Sequence, residues 1–205
     1  MEGQSLIIFV KAPVPGKVKT RLVPPLTYEE ASLLYRTWAA DICDRARSLK
    51  SISLLVAYDP HPDYPTPDWL GFRGEALSFF QQRGENLGER ILHAFSYAFK
   101  RGAERALVIG TDSPGLPIPY IDDAFDSLMG SDLVLGPTPD GGCYLIGARR
   151  NPAPALFQNV LWSTRQVFLK IIENAAKLNL SVCALPEYFD VDRPEDLLRL
   201  QNSPS

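Results

Sequence analysis

Short continuous runs of apolar residues alternate along this chain with longer segments in which apolar residues recur every three or four positions. Leu6-Ile7-Ile8-Phe9-Val10 is the first such run. Five consecutive β-formers with no polar face predict a strand buried on both sides, as in a parallel sheet. From Lys11 to Leu22 the chain turns basic, and Pro24-Pro25 closes that loop. Thr27-Tyr28-Glu29-Glu30 has the form of a capping box, and Leu34, Trp38, Ile42, Ala46 and Leu49 follow at helical spacing, which predicts a helix. The first unit is therefore strand, basic loop, helix.

The same reading continues to the end. Strands are expected at residues 53–58, 76–81, 106–110, 133–135, 143–147 and 182–185. Prolines 60, 62, 65 and 67 mark an irregular loop, and a Pro-Asp-Gly-Gly turn joins the strands at 133 and 143. Helices are expected at 86–100, at 120–129 before Gly130, from Ser163-Thr164-Arg165-Gln166 onward, and at 194–200. Strands that alternate with helices this regularly predict an α/β fold whose mainly parallel sheet is covered on both faces. In such sheets ligands bind outside the carboxyl ends of the strands.

Composition narrows the class. A length of 205 residues, 45% of them hydrophobic, suits one domain over 1–205 with an ordinary core. Lys and Arg number 21 against 24 Asp and Glu, a net charge of -3. No global basic field recruits nucleic acid or an anionic membrane, so any anion site is local. Cys43, Cys143 and Cys183 lack metal-ligand spacing and cannot all pair, which fits a reducing cytoplasm. The run at 6–10 is too short for a signal segment, and no stretch of about 18 apolar residues occurs. A cytoplasmic protein is expected.

Three polar segments follow predicted strands and should converge: Lys11 to Arg21, Thr111-Asp112-Ser113-Pro114, and Asp140-Gly141-Gly142. The first is no Walker A loop, because Gly16-Lys17 is followed by Val18, and the chain has no GxGxxG. It does offer Gly16 for close backbone approach and Lys11, Lys17, Lys19 and Arg21 for charge, a design suited to a diphosphate or triphosphate. Lys19 and Arg21 are expected to be exposed, so that their removal leaves the fold intact. Asp112, just past an apolar strand, is the natural carboxylate for the Mg²⁺ that accompanies a nucleotide, or else an Asx-turn acceptor. Asp190-Val191-Asp192 precedes the last helix. There Asp192 with Glu195 spells a capping box, and capping does not exclude metal binding. His61 and His93 are expected in surface or core roles, and Ser163 as a helix cap. Asp140 can position a substrate hydroxyl or shape a tight turn, and Trp162 can pack on a ligand ring or in the core.

Four motifs occur in order: Lys11-Ala-Pro-Val-Pro-Gly-Lys-Val-Lys-Thr-Arg21-Leu22, Gly110-Thr-Asp-Ser-Pro-Gly-Leu-Pro117, Pro139-Asp-Gly-Gly-Cys-Tyr-Leu-Ile-Gly147 and Asp190-Val-Asp-Arg-Pro-Glu-Asp-Leu197. Together they resemble the DUF2064 family of the glycosyltransferase-A, or nucleotide-diphospho-sugar transferase, superfamily. The resemblance implies a Rossmann-like three-layer αβα sandwich with a mixed, mainly parallel sheet. It implies Mg²⁺ or Mn²⁺ on Asp112 and on Asp192, the latter from the likeness of its segment to the close of sugar nucleotidyltransferases, with Asp190 the alternative for that second ligand. It places nucleotide binding on Lys11, Pro13, Gly16, Lys17, Lys19, Arg21, Thr111 and Asp112, with Gln82 and Gly88 near the base at a spacing about one residue off. Catalysis falls to Lys19, Arg21 and Asp112, and the substrate side to Asp140, Gly141, Gly142 and Trp162. The family pattern is not complete: the first loop lacks the Gly-x-Gly-x-Arg-Met form, and no Asp-x-Asp follows the central strand.

The expected activity is a metal-dependent, glycosyltransferase-like transfer from a nucleotide-activated sugar to a small-molecule acceptor. The alternatives are nucleotidyl transfer from a nucleoside triphosphate to a phosphorylated small molecule, which the basic loop favours, and a nucleotide-binding subunit without turnover.

Overall fold

The computed structural model describes residues 3–72 and 77–201. Seven strands form one sheet: β1 (Gln4–Lys11), β2 (Ile52–Asp59), β3 (Ser78–Gln81), β4 (Arg105–Ile109), β5 (Leu133–Pro137), β6 (Cys143–Ala148) and β7 (Val182–Ala184). Their order is β3-β2-β1-β4-β6-β5-β7, and only β6 runs against its neighbours. Every predicted strand is present, although Ala76, the expected start of β3, lies outside the described residues.

The period-two geometry of β1 explains the layers. Leu6, Ile8 and Val10 point into a core shared with helices α1 (Tyr28–Ala46) and α3 (Ile118–Gly130). Ile7 points into a second core with α2 (Leu87–Lys100) and α4 (Val167–Lys177). Successive side chains leave a strand on opposite faces, so an unbroken apolar run feeds both cores at once. The result is an αβα sandwich. The helix starts follow the same local logic. Thr27 Oγ1 accepts the Glu30 N–H at 3.2 Å while Glu30 Oε2 accepts the Thr27 N–H at 2.8 Å, and Asn86 Oδ1 accepts the Glu89 N–H at 3.1 Å. A last helix, α5 (Pro194–Gln201), lies beside a small cluster of Leu22, Trp38, Phe189 and Val191.

One expected helix start moves. Ser163 is not a cap: it is left-handed at φ 63°, and α4 begins only at Val167. Thr164 Oγ1 donates to the Leu161 carbonyl at 2.6 Å, and the carbonyl of Gly141 accepts the Phe168 N–H at 3.0 Å. Local hydroxyl turns and docking on a distant loop thus take the groups that a cap would use. Among the described residues, no helix is long and apolar enough to cross a membrane.

At the sheet edge remote from the cleft, Asp132 staples three segments. Its Oδ1 accepts from Arg149 Nε at 3.1 Å and Nη2 at 2.8 Å, and its Oδ2 accepts from the Ser181 backbone at 2.9 Å and hydroxyl at 2.7 Å. The Ser181 backbone N–H, then its hydroxyl and Arg149, hold the carboxyl down to about 2. Because the folded value is depressed, the contribution is complete above the unfolded value of about 3.9 and fades as pH falls toward the folded one. Asp132→Ala is expected to cost about 1 kcal/mol at neutral pH. Urea melts of both proteins across acidic pH should show that difference closing between roughly pH 4 and pH 2.

Candidate active site

The parallel register sets the site. Ile8 on β1 pairs with Ile109 on β4, so Lys11 and Asp112 each lie three residues beyond that pair at the same edge. The loops after β1, β3, β4 and β7 and the β5–β6 turn all open on this edge. Behind it, the Tyr35 hydroxyl of α1 accepts the Lys11 N–H at 2.8 Å and the Thr111 hydroxyl at 3.1 Å. Burial pushes the Tyr35 phenol far up, so it stays a neutral tie between the two loops. Ser32 Oγ donates to the Pro13 carbonyl at 2.5 Å. Pro13 and Thr111 are buried and fix the loops from behind, whereas Lys11, Gly16, Lys17 and Arg21 are exposed. Gly16 is left-handed at φ 76°, a conformation suited to glycine in a tight basic loop.

Lys19 departs from its three basic neighbours. Its side chain is only 3% exposed, correcting the expectation of a solvated loop charge. The ammonium pairs with Asp112 Oδ1 and with Asp192 Oδ1 at 3.1 Å, and donates to the Val191 carbonyl at 2.8 Å. Burial works against this charge, but the pull of Asp112 and then Asp192 outweighs it and raises the lysine above its ordinary value. Asp112 moves oppositely. Desolvation in the cleft disfavours its charge, yet Lys19 and then Lys11 hold it below the ordinary carboxylate value. Arg21 reaches Asp192 Oδ2 at 3.4 Å from the exposed side.

The loop ties bring the two aspartates together from opposite ends of the chain. The Val191 N–H donates to the Asp112 carbonyl at 2.8 Å, and Ser113 Oγ donates to Asp190 Oδ1 at 2.6 Å. Burial lifts the Asp190 carboxyl to about 6; the Ser113 bond opposes this, and the charges of Asp112 and Asp192 add to it. Arg45 on α1 holds the loop from below through the carbonyls of Pro114 and, at 3.0 Å, Leu116. Ser113, Tyr35 and Arg45 were not singled out as site residues by sequence, where each reads as an ordinary loop or helix residue. Asp190 was expected only as the alternative to Asp192 for the second metal ligand, and its bond to Ser113 gives it a loop-tying role.

Asp192 does not supply the cap that its sequence suggested. Asp196 Oδ2 accepts the N–H groups of Asp192 at 3.0 Å and Arg193 at 2.8 Å, leaving the Asp192 carboxylate to Lys19 and Arg21. Asp196→Ala is therefore expected to cost about 1 kcal/mol as a lost cap. Asp192→Asn should leave that capping term intact, which thermal melts of the two variants would separate.

The remaining predicted residues form the other walls. Asp140 Oδ1 closes its own turn, accepting from Thr138 Oγ1 at 2.5 Å and the Gly142 N–H at 3.1 Å. Gly141 is left-handed at φ 85°, and a Cβ there would stand 2.1 Å from the Arg165 carbonyl. The turn and the segment before α4 are thus packed backbone to backbone. Trp162 is half-buried against Phe157, with ring centroids 5.9 Å apart, and covers Gly88, whose added Cβ would meet the indole at 3.0 Å. Gln82 donates to the carbonyls of Val10 at 3.2 Å and Ala57 at 2.9 Å, clamping two strand ends.

The donor set fits a divalent cation. Two carboxylates that bond one ammonium have oxygens within roughly 6 Å of each other, and their side chains are 55% and 40% exposed. Among the described residues no cluster of three or more acidic, His or Cys ligands gathers. Mg²⁺ matches such a sparse site, since it takes one or two carboxylates and fills its shell with phosphate oxygens and water.

Comparison with known proteins bears on the family and the fold. The family described as an uncharacterized protein conserved in bacteria, DUF2064, matches residues 42–164. A crystal structure from Desulfovibrio desulfuricans G20, provisionally assigned as a nucleotide-diphospho-sugar transferase, is 34% identical, with a TM-score of 0.89 over 100% of this chain and 90% of that one. A 4-diphosphocytidyl-2C-methyl-D-erythritol synthase from Anaerococcus prevotii is 12% identical, with a TM-score of 0.61 and coverage of 97% and 95%. CMP:2-keto-3-deoxy-manno-octonic acid synthetase, complexed with CTP, is 11% identical, with a TM-score of 0.55 and coverage of 97% of each chain. At such identities the last two show a shared fold. No curated protein matches the sequence.

Proposed function

Because the chain belongs to the DUF2064 family, we propose that it is a metal-dependent transferase that takes a nucleotide-activated sugar and passes the sugar to a small-molecule acceptor. The observation that carries this reading is the convergence of Asp112 and Asp192 on the ammonium of Lys19, within the basic loop after β1. The whole-chain relative at 34% identity supports the nucleotide-sugar substrate class.

Asp112 and Asp192 would hold Mg²⁺ or Mn²⁺, which would supply positive charge to offset that on the leaving diphosphate. Lys11 and Lys17, exposed in the loop, orient the phosphate chain, and Arg21 adds charge as the bond to the sugar breaks. The Asp140-Gly141-Gly142 turn and Trp162 form the wall for sugar and acceptor. Nucleotidyl transfer is the second reading, favoured by four cations within eleven residues, Lys11, Lys17, Lys19 and Arg21. That is enough charge for a triphosphate, whose α-phosphorus an acceptor phosphate would attack.

A panel of nucleoside triphosphates and nucleotide sugars, tested by thermal shift with and without Mn²⁺, separates the two. A ligand at 100 times its Kd adds about 2.7 kcal/mol. Selective stabilisation by a nucleotide sugar supports glycosyl transfer. Selective stabilisation by a triphosphate, with diphosphate released on turnover, replaces it with nucleotidyl transfer.

A further inference from the structure

Lys19 is the most deeply placed charge in the cleft, 3% exposed against 55% for Asp112 and 40% for Asp192. Asp112 Oδ1, Asp192 Oδ1 and the Val191 carbonyl share its ammonium, which matches the three donors that a lysine has. The Trp38 ring stands 5.8 Å away. The Lys19 backbone is left-handed at φ 48°, ψ 36°, a conformation that is uncommon and costly for a residue with a Cβ. The fold holds that strain where it aims the side chain between the aspartates.

A divalent cation on these carboxylates would take the oxygens that hold the ammonium and stand close enough to repel it. Lys19 and the cation therefore exclude each other. A cation arriving alone would leave a desolvated ammonium with the Val191 carbonyl but without its two carboxylate partners, which phosphate oxygens can replace. Phosphate arriving alone would draw Lys19 away and leave two neighbouring carboxylates with only the exposed Arg21 and Lys11 to offset their charge.

We propose that Lys19 is a latch that couples cation entry to phosphate entry. Its ammonium leaves Asp112 and Asp192 for a phosphate oxygen as the divalent cation takes the carboxylates. Each ligand then binds well only with the other, and the coupling is reciprocal. The proposal rests on Asp112 and Asp192 being the cation ligands. Lysine suits the task, since its flexible stem carries a compact charge with rotatable donors.

The test is Mn²⁺ binding read from water-proton relaxation, for wild type, Lys19→Met and Lys19→Gln. Each is measured alone and with four ribonucleoside triphosphates and their diphosphate sugars. Wild type should bind Mn²⁺ roughly tenfold or more tightly when an effective nucleotide is present. Lys19→Met should bind Mn²⁺ alone roughly tenfold more tightly than wild type does, show little further gain from nucleotide, and lose that binding when Asp112→Asn is added. Lys19→Gln keeps a donor for the Val191 carbonyl and serves if the Met variant does not fold. If neither variant gains affinity for Mn²⁺ alone while wild type still takes it up with nucleotide, the latch is wrong and the metal-dependent reading stands. If no protein binds Mn²⁺ under any condition, the cation ligands are misassigned and the latch falls with them. Should both variants fail to fold, wild type decides, because Mn²⁺ affinity indifferent to every nucleotide overturns the coupling.

Discussion

Asp112→Asn is expected to lower metal-dependent turnover by about 10²-fold or more, the usual loss when preorganised charge is taken from a transition state. The side chain stands at the carboxyl end of β4 between Lys11 and Lys19, and its charged form is favoured there. Asparagine keeps the shape and one acceptor oxygen but removes the charge that a divalent cation needs. Stability should change little, because Lys19 keeps Asp192 and the Val191 carbonyl, and Asp112 is 55% exposed. Steady-state kinetics with the nucleotide sugar chosen by the thermal-shift panel, beside a melt of the variant, checks both halves. Full activity with an unchanged metal requirement would remove Asp112 from the cation site.

Lys19→Ala is expected to be the most damaging single change in the basic loop, for stability as well as binding. Removing one partner of a buried ion pair costs about 3–5 kcal/mol where the remaining charge is fully buried. The aspartates left behind are half-exposed, so a loss of about 2 kcal/mol is the discounted figure. Arg21→Ala, an exposed neighbour holding Asp192 at 3.4 Å, should cost well under 1 kcal/mol and act mainly on phosphate affinity. Chemical denaturation of the two variants side by side measures the contrast. Equal, small losses would mean that Lys19 is as solvated as the sequence suggests.

Much of the architecture was legible because its causes are local. The unbroken run at 6–10, the Thr27/Glu30 capping box and the Asp-Gly turn between β5 and β6 each act over a few residues. Local steric and hydrogen-bonding preferences decide such features. Ser163 failed as a cap because a competing hydroxyl turn and the carbonyl of Gly141 took over the start of α4. Asp192 failed as a cap because Asp196, one residue past the Glu195 of the expected box, reaches back instead. Both are choices between adjacent groups of similar chemistry, which spacing alone does not rank.

The sequence by itself determined the alternation of strands and helices, the two-sided burial of the sheet, and which loops carry charge, since apolar periodicity and residue type are properties of short segments. It also placed Asp112 at a strand end and flagged Asp192. Only the tertiary structure decided that these aspartates share one ammonium, that Lys19 is buried while Lys17 is exposed, and that Tyr35, Ser113 and Asp190 knit the loops together. The reason is physical: the field at a charged group is set by what parallel strands bring beside it, and the partners of Lys19 lie 93 and 173 positions away along the chain.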